Sequence, residues 1–353
     1  MPVTPVRSIL LIRPSALGDV CRTVPVVTSL RTAFPEASID WLVHEAFVDA
    51  VRHHPDVRGV ISFRRGALGK RWLFTATGRA VFRGLVRSLR EPGYDLVIDA
   101  QGLGRSGLFA YLTGAPRRVG FADARELGWL GVNERIRVAP DVTHSVDRML
   151  ALLAGAGIEP VPDMRLYTSS EHRDRAASLV ETDRYAVIAP TSRWAGKRWP
   201  EDRFERVVEA LLDADAVDRV AIVASGSERQ QCTHLIEHAR HNERVVDLVG
   251  STSVGVLMAL IQSAAFVLAN DSAPLHMAVG FDRPLVALFG PTRIERVGPY
   301  GRGHDVLQSA APAKGVSHKD EAAGRAMMEA ITTNAVIEAC LTRLNAPAKG
   351  ATP

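Results

Sequence analysis

Short runs of strand-forming residues recur along the chain, each closed by a Gly, Pro, Asp or Asn turn and most followed by residues at helical spacing. In the first half they fall at Val6–Ile12, Ser38–Val43, Val60–Phe63, Tyr94–Ala100 and Arg117–Gly120. In the second half they fall at Ala186–Ala189, Val220–Ala224, Val245–Leu248, Phe266–Asn270 and Leu285–Phe289. Continuous apolar runs, rather than strict alternation, predict strands covered on both faces. The helical stretches run through Leu30 with a break or restart at Pro25, near Phe47–His53, and over His144–Ala156, Phe204–Leu212, Arg229–Ala239, Val254–Gln262 and Asn334–Leu344; the restart follows from the missing proline N–H. Ala311–Lys319 reads as a loop. Alternating strand and helix predicts an α/β chain with doubly wound parallel sheets. Gly155–Pro162 is a candidate linker, so two domains are expected, residues 1–165 and 166–353, and neither repeats the other's sequence.

Composition supports this and adds little more. At 353 residues the chain is long enough for two cores, and 46% hydrophobic with 23% charged residues is an ordinary globular balance. Cys21, Cys232 and Cys340 form no metal-type or redox spacing, which fits a reducing compartment. The N-terminus runs directly into a strand, so no signal peptide is expected, and no apolar run approaches the roughly 20 residues of a membrane span. Charge distribution is more telling than the net +4. Arg64, Arg65, Lys70, Arg71, Arg79, Arg83, Arg87 and Arg90 occur between Ser62 and Arg90 with no acid among them. The last four repeat at helical spacing, as a solvated helix face does. A peripheral contact with an anionic membrane or a phosphorylated acceptor is the functional alternative. Nucleic acid is disfavoured, because no aromatic interleaving or known binding module accompanies the charge.

The candidate chemistry concentrates at strand ends. Phe266–Asn270 stops at Asp271, and a helix follows at once, with Asp271 or Ser272 as its cap and Pro274 in its first turn. Free N–H groups there, with the small Ser272 and Ala273, suit a phosphate. The next strand ends in Gly290-Pro291-Thr292, and adjacent parallel strands ending in polar turns form a ligand crevice.

Two long motifs carry a family resemblance. NDSAPLHMAVGFDRPLVALFGPT (270–292) resembles the C-terminal signature of glycosyltransferase family 9, the ADP-heptose:lipopolysaccharide heptosyltransferases. RPSALGDVCRTVPVVTSLRTAFP (13–35) resembles the family's opening motif. The resemblance spans Ile9 to Tyr300; family members usually carry Gly where this chain has Ala273, so that turn must avoid positive φ or carry strain. It implies the GT-B architecture, two Rossmann-like domains facing across a cleft, the first on the acceptor side and the second binding a nucleotide-sugar. It also implies an inverting, metal-independent transfer of heptose from an ADP-sugar to a lipopolysaccharide core or similar glycolipid, with no cofactor, in the cytoplasm or at the inner face of the inner membrane.

Residue by residue, Asp19 matches the family's general base; from the local pattern alone it is equally a helix cap. Partial desolvation would raise its pKa and improve it as a base. Arg13, Ser15, Arg64 and Arg65 are acceptor-side candidates. Thr191, Ser192 and Lys197 match the family's contacts to donor phosphates and sugar, although the loop between them departs in composition. Glu228 matches the ribose-binding carboxylate, or is a first-turn Glu favoured by the helix dipole. Leu248–Thr252 is a weaker candidate for meeting an adenine edge. Asp271, Ser272, Ala273 and His276 complete the donor set; as a lone histidine, His276 is equally a core residue. No metal-type DxD pair lies near these loops, since Asp213-Ala214-Asp215 sits towards a helix end.

Gly102-Leu103-Gly104-Arg105-Ser106-Gly107 matches the GxGxxG pattern of dinucleotide enzymes, but that pattern requires a second strand ending in an acid, and after Arg117–Phe121 the acid, Asp123, falls in a loop-like context. A sugar-nucleotide epimerase or hydrolase would need further acid–base groups, for which His44, Glu45 and His144 are the spare candidates. A non-catalytic binding protein is opposed by the joint presence of Asp19, Lys197, Glu228 and Asp271.

Overall fold

The computed structural model describes residues 5–64, 66, 75–313, 315–316 and 320–345. The chain divides into two compact units, Met1–Tyr167 and Thr168–Pro353. The first holds strands β1 (Ser8–Ile12), β2 (Ser38–His44), β3 (Gly59–Phe63), β4 (Leu96–Asp99), β5 (Arg117–Phe121) and β6 (Glu134–Ile136). Its helices are α1 (Leu17–Cys21), α2 (Val24–Ala33), α3 (Ala76–Arg90), α4 (Gly104–Leu112) and α5 (Ser145–Gly155). The second unit holds β7 (Tyr185–Ala189), β8 (Arg219–Ile222), β9 (Val245–Asp247), β10 (Phe266–Asn270), β11 (Leu285–Phe289) and β12 (Val306–Gln308). Its helices are α6 (Ser170–Val180), α7 (Glu201–Asp213), α8 (Thr233–His241), α9 (Val254–Ser263), α10 (Ala273–Gly280), α11 (Ile294–Val297), α12 (Glu321–Glu329) and α13 (Thr333–Asn345).

Both sheets are parallel throughout and share one topology. The first runs β3-β2-β1-β4-β5-β6, and the second β12-β11-β10-β7-β8-β9, which is the same 3-2-1-4-5-6 order counted within its own unit. The central strands β1, β7, β10 and β11 are apolar runs with almost no exposed surface, as sheets covered on both faces require. Each fully buried Leu, Ile or Phe there contributes about 1.5–3 kcal/mol. Pro25 restarts the helix as expected: α1 ends at Cys21 and α2 begins at Val24 with Pro25 in its first turn.

Most departures from the sequence reading fall on elements that bury little. β6 and β12 are three-residue edge strands that are not fully buried, so they lack an apolar run to announce them. α6 and α12 are polar helices whose few buried positions leave a weak period. The helix expected near Phe47–His53 is a 3-10 helix that begins earlier, Glu45–Ala50. The helix expected over 229–239 is a 3-10 turn, Gly226–Gln231, followed by α8 from Thr233.

Candidate functional site

In a doubly wound sheet, ligands bind at the carboxyl ends of the strands where the strand order reverses. That position lies between β1 and β4 in the first unit and between β7 and β10 in the second. Each carries a built polar cluster.

In the first unit, Arg13 follows β1 and Asp19 is the third residue of α1. Asp19 Oδ2 accepts from the Ala16 N–H at 3.2 Å, so Asp19 is not the N-cap, which is Ala16, but closes back on it from the third helical position. Its other oxygen is claimed by two cations. Arg22 donates to Oδ1, and Arg13 lies 3.3 Å from the same atom. Arg13 also donates to the Ala100 carbonyl beyond β4, which ties the two strands of the switch point together. Two guanidiniums on one oxygen stabilise the carboxylate anion. The sequence reading considered desolvation alone for Asp19 and missed this opposing influence, because Arg22 carries no signal beyond helical proximity. The Asp19 side chain retains 28% of its surface, enough for an incoming group to reach it. Ser15 sits half-buried in the same turn.

Next to them, Asp99 ends β4 fully buried. It accepts from the N–H groups of Gln101 and Gly102 and from Ser106 Oγ. Burial raises its pKa to about 6, against those hydrogen bonds and the Arg13 charge, which lower it. Arg64 lies just past β3, exposed and 3.0 Å from Glu45. Arg65 falls outside the described residues.

In the second unit, Lys197 Nζ donates to Asp271 Oδ2 at 2.7 Å, and their side chains are only 13% and 8% exposed. Ser192 Oγ donates to the Asp271 carbonyl at 3.4 Å, with Thr191 buried beside it. These residues leave β7, and Asp271 leaves β10, so the pair spans the switch point. Ser272 occupies the N-cap position of α10, whose first turn includes Pro274. Ala273 is helical and free of the positive φ that a glycine there would permit. His276 is buried one turn on.

The Lys197 loop is held by groups that carried no functional signal. Asn270 Oδ1 accepts from the Trp199 N–H at 3.3 Å, while Asn270 Nδ2 donates to the Pro190 carbonyl. The indole N–H of Trp199 donates to Ile331 at 2.9 Å, anchoring the loop to the segment after α12. Gly196 packs directly on α12: a β-carbon on Gly324 would lie 2.5 Å from the Gly196 carbonyl oxygen. The loop is therefore ordered by a helix more than a hundred residues away, not a free solvent segment.

Glu228 is set apart from this pair. It lies in the turn after β8, where it accepts from Ser225 Oγ at 2.7 Å and from the Ser225 N–H at 3.2 Å. That is a capping box, made from the first-turn position considered for it as an alternative to ribose binding. It is half-buried on the same strand-end edge, in the turn whose Gly226 packs on the Gly250 turn that follows β9.

The GxGxxG segment has a packing function. A β-carbon on Gly107 would lie 2.1 Å from the Gly128 carbonyl oxygen, and one on Gly104 would lie 2.5 Å from that of Glu126. These glycines let α4 pack backbone to backbone on the 3-10 turn Gly128–Gly131. The spare acid–base candidates are likewise occupied: His44 and His144 accept from the N–H groups of Ala46 and Val146, and Glu45 faces Arg64. Among the described residues, Glu205, Glu209 and His238 bring three metal-type donor atoms within 4.8 Å of one another, but on α7 and α8 rather than at the strand ends. No helix among them is long and apolar enough to cross a membrane.

Two Rossmann-type units with polar clusters at their switch points place the chain in the GT-B class of glycosyltransferase folds. The model of glycosyltransferase family 9 (heptosyltransferase) matches residues 82–325. Lipopolysaccharide heptosyltransferase 1 of Pseudomonas aeruginosa is 30% identical over 309 residues, covering 86% of this chain and 84% of that protein. The enzyme of the same name from Escherichia coli K12 is 27% identical over 307 residues, covering 85% and 93%. The E. coli heptosyltransferase WaaC with ADP superposes with a TM-score of 0.76 at 24% identity, covering 95% of this chain and 99% of that one. The chain belongs to glycosyltransferase family 9, the heptosyltransferase family, and is a glycosyltransferase.

Proposed function

We propose that this enzyme transfers a heptose from an ADP-sugar to a lipopolysaccharide core or similar glycan acceptor, with inversion and without a metal ion. The observation that carries the donor assignment is the Lys197–Asp271 pair at the start of α10, beneath Thr191 and Ser192. Lys197 and the free N–H groups of the α10 first turn, with Ser272 and Ala273 small enough for close approach, receive the diphosphate. His276 supports that turn, and Glu228 turns from its capping box to the ribose hydroxyls. The second unit is thus the donor side and the first the acceptor side.

Asp19 is the general base. As the acceptor oxygen attacks the anomeric carbon, its proton passes to the Asp19 carboxylate, and the bond from that carbon to the diphosphate oxygen breaks. Lys197 and the α10 dipole take up the charge on the departing ADP, an electrostatic contribution expected to dominate the rate. Arg13, Ser15, Arg64 and Arg65 meet the acceptor. We place the enzyme in the cytoplasm, in peripheral contact with an anionic membrane through the Arg64–Arg90 stretch. The names of its curated relatives and the ADP in the WaaC structure support the same reading.

The test is a thermal-shift panel of ADP, UDP, GDP and NAD on the wild type and on Lys197→Ala. Stabilisation by ADP, lost in the variant, is expected. A response to UDP or GDP instead would discard the ADP-sugar donor. A response to NAD that ignores Lys197 would overturn the donor site.

A further inference from the structure

Among the described residues, the exposed large hydrophobic side chains are Leu108, Tyr111, Leu127 and Leu130, each 45–63% exposed. All four flank one seam. Leu108 and Tyr111 lie one helical turn beyond Gly104 and Gly107, the two α4 residues that pack on the 3-10 turn. Leu127 and Leu130 immediately precede Gly128 and Gly131, the residues that meet them from the other side. The backbone at Glu126 and Leu127 is left-handed, with φ of 55° and 60°. That conformation costs a residue with a β-carbon roughly 1–2 kcal/mol. A strained, exposed leucine on a seam this tightly packed is a fixed apolar display rather than a mobile loop.

The surroundings of the seam are basic. Leu85 and Leu89 of α3 share a core cluster with Phe109 and Ala110 of α4, so the two helices lie in one layer. The outer face of α3 carries Arg79, Arg83, Arg87 and Arg90, all exposed, with no acid in the helix. Arg90 Nε donates to the Leu112 carbonyl at 3.0 Å, which brings the end of α3 to the end of α4 beside Tyr111. Arg105 and Arg125 are exposed at the seam itself. The nearby acids Glu91, Asp123 and Glu126 are outnumbered, and Asp123 is paired with Arg148.

We infer that the Leu108–Tyr111–Leu127–Leu130 seam enters the interfacial layer of an anionic membrane, with the α3 arginines on the lipid phosphates. Clustered apolar side chains of this kind mark an interaction surface. Their combination with an arginine-lined amphipathic helix matches a bilayer, where apolar burial and about 1 kcal/mol per basic residue act together. A protein partner would need complementary acids, whereas a membrane supplies apolar depth and negative charge at once. The inference rests on the lipid-linked acceptor proposed above, and it adds an apolar anchor to the basic stretch. It also fits the fold: α4 starts just past Ala100, the residue Arg13 holds beside Asp19. A glycolipid in that membrane therefore has its glycan close to the base.

The test is co-sedimentation of the intact protein with vesicles of phosphatidylethanolamine and phosphatidylglycerol, and with phosphatidylcholine vesicles, alongside sizing in solution. The wild type is expected on the anionic vesicles only. Leu108→Asp/Leu130→Asp should weaken that partition about tenfold or more. Its Tm and its turnover of a short, soluble acceptor fragment should not change. Arg83→Glu/Arg87→Glu should weaken binding as well, chiefly at low salt. Unchanged vesicle binding in the leucine variant overturns the proposal. So does a change of oligomeric state in that variant without loss of vesicle binding, which would assign the seam to a second copy. Turnover of the soluble acceptor reports on the transferase reading separately.

Discussion

The two units fold alike but arm the same topological position in opposite ways. Both end their fourth strand in a buried polar residue, Asp99 in the first and Asn270 in the second. Asp99 is a carboxylate that gathers N–H groups and a hydroxyl from its own turn. Asn270 is neutral and bridges outward, to Pro190 and Trp199, fixing a loop from another strand. The charges beside them are inverted too. The first unit holds one carboxylate, Asp19, between two arginines, whereas the second holds Lys197 on the carboxylate of Asp271 at a helix start. A carboxylate left partly open suits proton removal. An ammonium poised under a helix N-terminus suits an anion. Topology decides where the chemistry sits, and local charge decides which chemistry it is.

The sharpest way to break this comparison is Asp19→Asn. It should lower kcat by on the order of 10² or more while leaving the donor KM nearly unchanged. Unaltered turnover would remove the first unit's carboxylate from the reaction.

Next comes the inverse pair. Asp271→Asn leaves Lys197 as a buried cation without its counter-charge, which should destabilise the ligand-free enzyme by on the order of 2 kcal/mol. ADP would then supply the missing negative charge, so the ADP-induced rise in Tm should be larger in this variant than in the wild type. An equal or smaller rise would mean that the diphosphate does not reach Lys197.

Arg22→Gln probes the clamp around Asp19 without altering the carboxylate itself. Losing one of the two cations on Oδ1 frees the carboxylate to turn away, so kcat should fall about tenfold with the donor KM nearly unchanged, and Arg22→Lys should largely restore it. A purely structural arginine would change Tm and leave kcat in place.

The last test concerns the fourth-strand residues themselves, and it bears on stability rather than on turnover. Because Asp99 is raised to about 6 from 3.8, the folded state binds more protons than the unfolded state between those values. Its contribution to stability is therefore most favourable at low pH and declines as pH rises towards 6, by on the order of 2–3 kcal/mol in all. Asp99→Asn should flatten that part of the Tm–pH curve relative to wild type. The second unit, with Asn270 in the equivalent place, has no such titration to lose.

Much was legible in the sequence because it depends on local order. The central strands are apolar runs that have no stable place except between two helix layers, so periodicity and turn residues located them. The strand-end motifs at Asp19 and Asp271 were visible for the same reason, since a cap, a helix start and the strand before it are contiguous in the chain. What only the tertiary structure decided is everything that needs distant residues to meet. The anchoring of the Lys197 loop by Asn270, Trp199 and α12, and the reach of Arg13 from Asp19 to the Ala100 carbonyl, have no contiguous signature, whereas the Arg22–Asp19 pair and the Ser225–Glu228 cap sit at three-residue spacing. The glycine motif at 102–107 shows the limit most clearly: the same letters serve a phosphate or a tight backbone contact, and only the position of Gly128 and Gly131 against α4 tells which. Local patterns are set by the nearest few residues, whereas a site is set by which strand ends the sheet order brings side by side.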